Sequence, residues 1–417
     1  MSSAIQQTTA AERDNEFDEV TRGMATPGFR QDPYALYARL RHERPVYRSS
    51  QGIWYLTRYT DVEAALLDPR LSNDGQRFRR WYTQQTGRDD FSRLQKRAGR
   101  SMSRADPPDH TRLRKLVNRA FTARRVQALR PRIQAIVDEL LDAAIAAGSV
   151  MDLIAALAYP LPITVICELL GVPPSDRGRV RAWSRQFVDQ PDVIPTPQAF
   201  QRIDQAAEKL EGYLRALIRS RRAEPADDIV SALIAVQERG DQLTDDELLS
   251  TCVLLLIAGH ETTINLIGNG TLALLRHPDQ LRLLEQSPAL IRAAVEELLR
   301  YDSPVQMIGR TVVGQVVIGG RTLCDGDLVF LLLGAANHDP DLFADPDRLD
   351  LGRPDNRHLS FGNGPHFCLG APLARLEGEV AIGTLTRRLP GLRLDTDLPE
   401  WRPNPMLRGL ERLPVAY

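Results

Sequence analysis

The sequence predicts a mainly helical domain with smaller β-sheets, and three observations carry that expectation. Apolar residues recur with helical periodicity over 124–147, over 206–222 and across an unusually long segment, 243–276. Strand-like stretches are fewer, namely Ile53-Trp54-Tyr55-Leu56 and 311–333 with its Gly319-Gly320 turn. No Gly/Ser linker, low-complexity block or fixed-period repeat divides the 417 residues. Residues 29–417 therefore read as one large domain behind a flexible polar tail, 1–28.

Hydrophobic residues at 43% and charged residues at 26% give enough apolar surface for a core that encloses a ligand. The net charge of -1 provides no global field for nucleic acid or an anionic membrane, so neither is expected as a partner. Cys167, Cys252, Cys324 and Cys368 lie far apart with no Cys-x-x-Cys pair, which suggests neither a disulfide framework nor a zinc site and fits a reducing cytoplasm. The first thirty residues hold no apolar stretch like a signal peptide. The longest apolar run, 252–258, falls far short of the roughly 20 residues that span a bilayer.

The segment 243–276 opens with Thr244 and Glu247 at capping-box spacing and stops at His277-Pro278. Its run Leu254-Leu255-Leu256-Ile257 implies burial, yet Ala258-Gly259-His260-Glu261-Thr262-Thr263 follows at once. A buried helix that turns small and polar in its middle has two explanations: a close helix crossing at Gly259, or a face that meets a flat or small ligand.

A second feature lies near the C-terminus. Phe361-Gly362-Asn363-Gly364-Pro365-His366-Phe367-Cys368-Leu369-Gly370 is a glycine-rich loop that ends in a cysteine just before a helical segment. A sulfur at a helix start accepts backbone N–H groups and feels the favourable end of the dipole, so a lowered Cys368 pKa is expected. Gly362, Gly364 and Gly370 let the backbone take conformations closed to other residues and pass close under a flat ligand. Phe361 is placed to cover the sulfur.

Phe361, Gly364, Cys368 and Gly370 form Phe-x-x-Gly-x-x-x-Cys-x-Gly, which resembles the haem-binding loop of the cytochrome P450 family. Three further motifs occur in family order. Ala258-Gly259-His260-Glu261-Thr262-Thr263 resembles the oxygen-activation motif, and Glu297-Leu298-Leu299-Arg300 the Glu-x-x-Arg motif. Pro346-Asp347-Arg348-Leu349 is similar to the region that supplies a second arginine to that network; Leu349 stands where an aromatic is usual, and Arg353 competes with Arg348 for the role. Likeness runs from about Asp32 to the C-terminus and includes the segment from Asp106 to Arg114, similar to the helix beneath one haem edge.

The resemblance implies a cytochrome P450-like fold of the soluble bacterial kind and haem b (iron protoporphyrin IX) as cofactor, with Cys368 as the iron ligand. Thiolate ligation favours O–O cleavage, whereas a histidine ligand suits oxygen carriage. Ala258, Gly259, Phe361, Gly362 and Gly370 would then border the haem, and His110, Arg114, Arg310 and His366 would meet its propionates. Arginine suits that task because its planar fork gives a carboxylate two charge-assisted bonds. Thr262 and Glu261 would deliver protons to dioxygen, the hydroxyl as donor and acceptor and the carboxylate by turning towards solvent.

No Gly-x-Gly-x-x-Gly fingerprint follows a strand, so electrons are expected from a separate ferredoxin or flavodoxin with its NAD(P)H reductase. Arg112, Arg119, Arg124 and Arg125 are candidates for a basic docking surface, or simply a solvated face. Two rival functions share these motifs: a peroxygenase of the same fold, and a haem-binding sensor or carrier without turnover. The pair Glu261-Thr262 favours a monooxygenase acting on dioxygen. Resemblance to natural-product tailoring members implies a bulky lipophilic small molecule, hydroxylated or epoxidised. Its pocket is expected to include Leu256, Val305, Gln306, Met307 and Leu407, with the stretches 76–99 and 183–200.

Overall fold

Thr244 starts the longest element of the structure, a computed structural model that describes Met24 and residues 26–89, 101–188, 196–238, 243–396 and 398–417. The Thr244 side chain accepts from the Glu247 backbone N at 3.2 Å, and the Glu247 carboxylate accepts from the Thr244 N at 2.8 Å. This reciprocal cap satisfies two donors that a helix start otherwise leaves orphaned.

Six helices position the site: α1 (Asp109–Ala120), α2 (Pro160–Leu169), α3 (Arg177–Val188), α4 (Asp245–Arg276), α5 (Ile291–Tyr301) and α6 (Ala371–Arg388). The 32 residues of α4 extend about 48 Å at the usual rise. By length and composition α4 passes for a membrane span, but 72% of its apolar window is buried inside the protein, as in the core helix of a globular fold.

Glycines let neighbours approach α4 closely. A Cβ at Gly268 would lie 2.7 Å from Ile154 Cδ1, one at Gly270 3.1 Å from Leu298 Cδ1, and one at Gly259 3.0 Å from Ile166 Cδ1. The close crossing at Gly259 is therefore real, and its partner is α2.

A five-stranded sheet flanks the helices. Its strands are β1 (Val46–Arg48), β2 (Trp54–Leu56), β3 (Leu71–Ser72), β4 (Ile308–Val312) and β5 (Leu328–Leu331), in the order β1-β2-β5-β4-β3. Trp54 pairs Val329 in parallel, and Arg310 pairs Val329 in the antiparallel β4–β5 ladder. That register sets Arg310 in the middle of β4, opposite Val329.

The domain begins before residue 29. Met24 is 1% exposed and packs with Tyr37 and Leu40, and helix Pro27–Gln31 is held by Arg408, which donates to the Gln31 carbonyl at 3.3 Å. The tail expected over 1–28 thus overruns the packed chain, because Met24 buries apolar surface that a polar tail would not; residues 1–23 lie outside the described residues.

Candidate active site

The cysteine loop is folded by its own backbone. Cys368 N donates to the Phe361 carbonyl at 2.9 Å, Gly362 N to Leu359 O at 2.8 Å and Phe367 N to Gly364 O at 3.0 Å. Gly362 and Gly364 take φ of +71° and +70°, and a Cβ at Gly364 would sit 2.8 Å from Leu67 Cδ2. Gly370 differs from the expectation: its φ is -80°, open to any residue, and it serves as the N-cap of α6 beside the sulfur. Phe361 stacks beneath the Arg375 guanidinium at 4.6 Å and edges onto Phe367 at 6.2 Å.

Burial pushes the Cys368 thiol above its ordinary pKa, outweighing the backbone N–H groups of Gly370 and Ala371 and the charges of Arg114 and Arg375. The depressed value expected from a helix start is therefore corrected. In the protein alone desolvation wins, and a bound metal's charge is what deprotonates a coordinating thiol.

Across a cavity of about 440 Å³ from this loop stands one face of α4. Leu254, Leu255, Ala258, Gly259, Thr262, Thr263 and Leu266 line it, spaced by three and four residues as one helix face requires. Thr262 Oγ1 donates to the Ala258 carbonyl at 3.3 Å. Glu261 is off the cavity wall, 2% exposed, in a buried ion pair with Arg402. Arg402 Nε lies 3.4 Å from Glu411, which pairs with Arg185 at the surface. His260 is buried, with Nδ1 2.7 Å from the Leu256 carbonyl and Nε2 3.3 Å from Ser184 Oγ of α3, and burial lowers its pKa to about 4.

Basic groups gather in the same cavity. Arg104, His110, Arg114, Arg310 and His366 all line it. The rings of His110 and His366 lie 4.0 Å apart, and both His110 nitrogens are buried without a partner among the described residues. Burial, then the neighbouring His110 and Arg310, lowers the His366 pKa to about 3, so this imidazole is neutral. Burial, then Arg104, brings Arg310 to about 10.

The cytochrome P450 family model matches residues 180–390. Vitamin D(3) 25-hydroxylase of Pseudonocardia autotrophica is 47% identical over 395 residues, covering 93% of this chain and 94% of that protein. The 6-deoxyerythronolide B hydroxylase of Saccharopolyspora erythraea is 42% identical over 402 residues, covering 94% and 98%. The crystal structure of CYP164A2 from Mycobacterium smegmatis superposes with a TM-score of 0.87 at 41% identity, covering 96% of this chain and 100% of that one.

The chain belongs to the cytochrome P450 family. It is a monooxygenase, and haem b is the family's cofactor. The residues present fit that group. A thiol on one wall faces a helix face made of Ala258 and Gly259, which leave room for a flat ring. The orphaned His110 nitrogens and the arginines supply donors for propionates, which would be costly to bury unpaired.

Glu297 and Arg300 form the pair expected of this P450. Both are fully buried, with Arg300 Nε 2.8 Å and Nη2 2.9 Å from the two carboxylate oxygens. Their second arginine is Arg353, whose Nε reaches both oxygens at 3.2 Å. The assignment of Arg348 is corrected: its side chain is exposed, and it contributes only its carbonyl, to Arg300 at 3.3 Å and Arg353 at 3.0 Å. Asn356 and the Asp350 N–H complete the shell at 3.0 Å each.

Of the pocket expectations, Val305 lines the cavity and four residues do not. Leu256 is rotated into the core, and Leu254 and Leu255 take its place. Gln306 is buried, donating to Ser303 O at 2.8 Å, and Met307 packs with Tyr37 and Phe330, while Ile308 faces the cavity. Leu407 forms a backbone bridge to Val305, and its neighbour Met406 lines the wall. Residues 90–99 and 189–195 lie outside the described residues, and none of the described positions in 76–99 or 183–200 is a lining residue.

Arg402 and Arg104 were missed because neither belongs to a motif. For Arg402 the only signal was a buried carboxylate on α4, which requires a cation from somewhere in the chain.

Proposed function

We propose that this P450 inserts one atom of dioxygen into a bulky lipophilic substrate by hydroxylation or epoxidation, acting in the cytoplasm as a single domain. The observation that carries the reading is a single cavity lined at once by Cys368, by the Ala258-Gly259-Thr262 face, by the basic cluster and by an apolar wall that includes Ile166, Leu254, Leu255 and Met406. The printed names of the relatives, a vitamin D(3) 25-hydroxylase and a 6-deoxyerythronolide B hydroxylase, support a substrate of this size and polarity.

Bound haem supplies the thiolate-promoted oxygen chemistry that protein side chains lack. Cys368 would hold the metal from the loop side. His110, Arg114, Arg310 and His366 would hold the propionates, the arginines by charge-assisted bonds and the imidazoles by N–H donation. Thr262 anchors its own proton on the Ala258 carbonyl and leaves its oxygen towards the cavity as an acceptor, so that a small rotation makes it a donor there.

Glu261 must leave Arg402 before it can carry a proton inward. The chain Glu261–Arg402–Glu411–Arg185 joins it to the surface, and Arg185 belongs to α3, so movement of α3 bears directly on this carboxylate. Electrons come from a separate ferredoxin or flavodoxin. Arg119, Arg124 and Lys115 are exposed on the α1 side, where Arg112 also pairs with Glu247 and Arg125 with Asp227.

The test is product formed per NADPH with a surrogate ferredoxin and reductase, on a substrate chosen by its effect on the haem spin state. Thr262→Ala is expected to bind substrate normally and consume NADPH while releasing hydrogen peroxide in place of product, and Glu261→Gln to slow oxygen consumption itself. Unchanged coupling in Thr262→Ala, with a substrate bearing no hydroxyl of its own, refutes the proton-delivery role. No NADPH consumption with any spin-shifting compound favours a carrier.

A further inference from the structure

The cavity holds more arginine than the P450 motifs account for. Arg104 ends the turn Met102–Arg104, just ahead of α1, and lines the cavity beside Met102 and Ser103. This turn is fixed on both sides. Met102 is buried against Leu113 and its neighbours, and Asp106 accepts from Asn73 N at 2.9 Å and from the Ser72 hydroxyl. Arg104 itself makes no hydrogen bond or ion pair among the described residues, although burial by the surrounding protein lowers its pKa.

Another cation lines the cavity close to it. Arg310 feels Arg104 as a like charge, and His366 in turn feels Arg310, which places Arg104 on the basic side of the cavity with the cysteine loop. Among the described residues Arg310 makes one side-chain bond, to its neighbour's carbonyl at Gly309, 2.9 Å away, and Arg114 interacts with Cys368. Arg310 is buried, Arg114 half-buried, and Arg104 presents its exposed side chain to the cavity, so an anion entering that space would relieve the repulsion between like charges there. A haem-thiolate site brings three anionic groups, the sulfur and two propionates. Three arginines that form no ion pair among the described residues, Arg104, Arg114 and Arg310, line the same cavity, with the Asp106 carboxylate acting on Arg310 from nearby.

We propose that Arg104 is a further cofactor-binding residue, which shares one haem propionate with Arg310 and fastens the turn Met102–Arg104 over that edge of the haem. The proposal rests on the reading of Arg310 and Arg114 as propionate ligands. A carboxylate on the substrate is the competing anion, and the placement of Arg104 on the cavity wall with Arg310 favours the propionate.

The experiment compares holoenzymes carrying Arg104→Gln, Arg104→Lys and Arg310→Gln. Haem transfer to excess apomyoglobin gives the dissociation rate, and resonance Raman propionate-bending bands report the carboxylate's hydrogen bonds, which a purely structural role would not move. Arg104→Gln is expected to release haem about tenfold faster or more, the loss of a hydrogen bond to a charged group, with a shifted propionate band and an intact reduced-carbonyl thiolate band. Arg104→Lys should restore part of both. Should Arg310→Gln speed release while Arg104→Gln matches wild type in rate and band, this proposal alone fails. If neither variant differs, the propionate reading beneath it fails too. Unchanged haem release with a weakened affinity for a fatty acid in Arg104→Gln overturns the proposal in favour of substrate recognition.

Discussion

Replacing each arginine around Glu297 in turn separates the network seen here from the one the motif alone suggests. Arg300→Ala removes a two-pronged ion pair between fully buried partners and strands the carbonyls of Asn337 and Pro346, which Arg300 Nη1 serves at 2.9 and 2.8 Å. Breaking such a pair costs about 3–5 kcal/mol. Arg353→Ala leaves Glu297 with Arg300, Asn356 and the Asp350 N–H but removes bonds to both carboxylate oxygens and to the Ala344 carbonyl at 2.7 Å. One such charged contact is worth about 1.5–3 kcal/mol. Arg348→Ala removes an exposed side chain and keeps the carbonyl that both arginines use, so its cost should stay within about 0.5 kcal/mol. The assay is the denaturant midpoint for loss of the haem Soret band, with haem content per chain after expression. Midpoints should fall in the order Arg348→Ala, Arg353→Ala, Arg300→Ala. Arg348→Ala as damaging as Arg300→Ala, with Arg353→Ala silent, would refute the assignment.

Two further predictions concern a half-buried carboxylate and a fully buried one. At Glu296, burial raises the pKa, but the Arg375 fork at 2.6 and 2.8 Å and His358 at 3.1 Å outweigh it and bring the value down to about 2. Stability from this depressed carboxylate is present above its unfolded value, about 4.3, and drains as the pH falls towards 2. Glu296→Gln should therefore lower the melting temperature at pH 6 and flatten its decline below pH 4, and a parallel decline in both proteins would contradict this. Glu377 is the opposite case, fully buried with neither carboxylate oxygen hydrogen-bonded among the described residues, and burial holds its pKa well above the ordinary value. Its cost grows as the pH rises above the unfolded value, so Glu377→Gln should gain melting temperature relative to wild type between pH 5 and 8; a constant difference across that range would argue against a protonated Glu377.

What the sequence determined by itself lies in short-range spacing. The capping box at Thr244 and Glu247, the positive-φ glycines of the cysteine loop and the Glu297–Arg300 pair are set by residues within a few positions of each other, and local backbone geometry makes such patterns legible. The face of α4 was legible only in part: Thr262 and Gly259 follow from periodicity, whereas the choice of Leu255 over Leu256 depends on how the helix is rotated against α2 and the core. The tertiary structure alone decided the rest. Arg353 rather than Arg348 reaches Glu297, Arg402 crosses 141 positions to neutralise Glu261, and Arg104 lines the same cavity as Arg310. The Cys368 pKa likewise reversed the sequence expectation, because desolvation is a property of everything packed around the sulfur. Charge pairing and burial are set by the three-dimensional neighbours of a group, and no local pattern encodes which distant residue those neighbours will be.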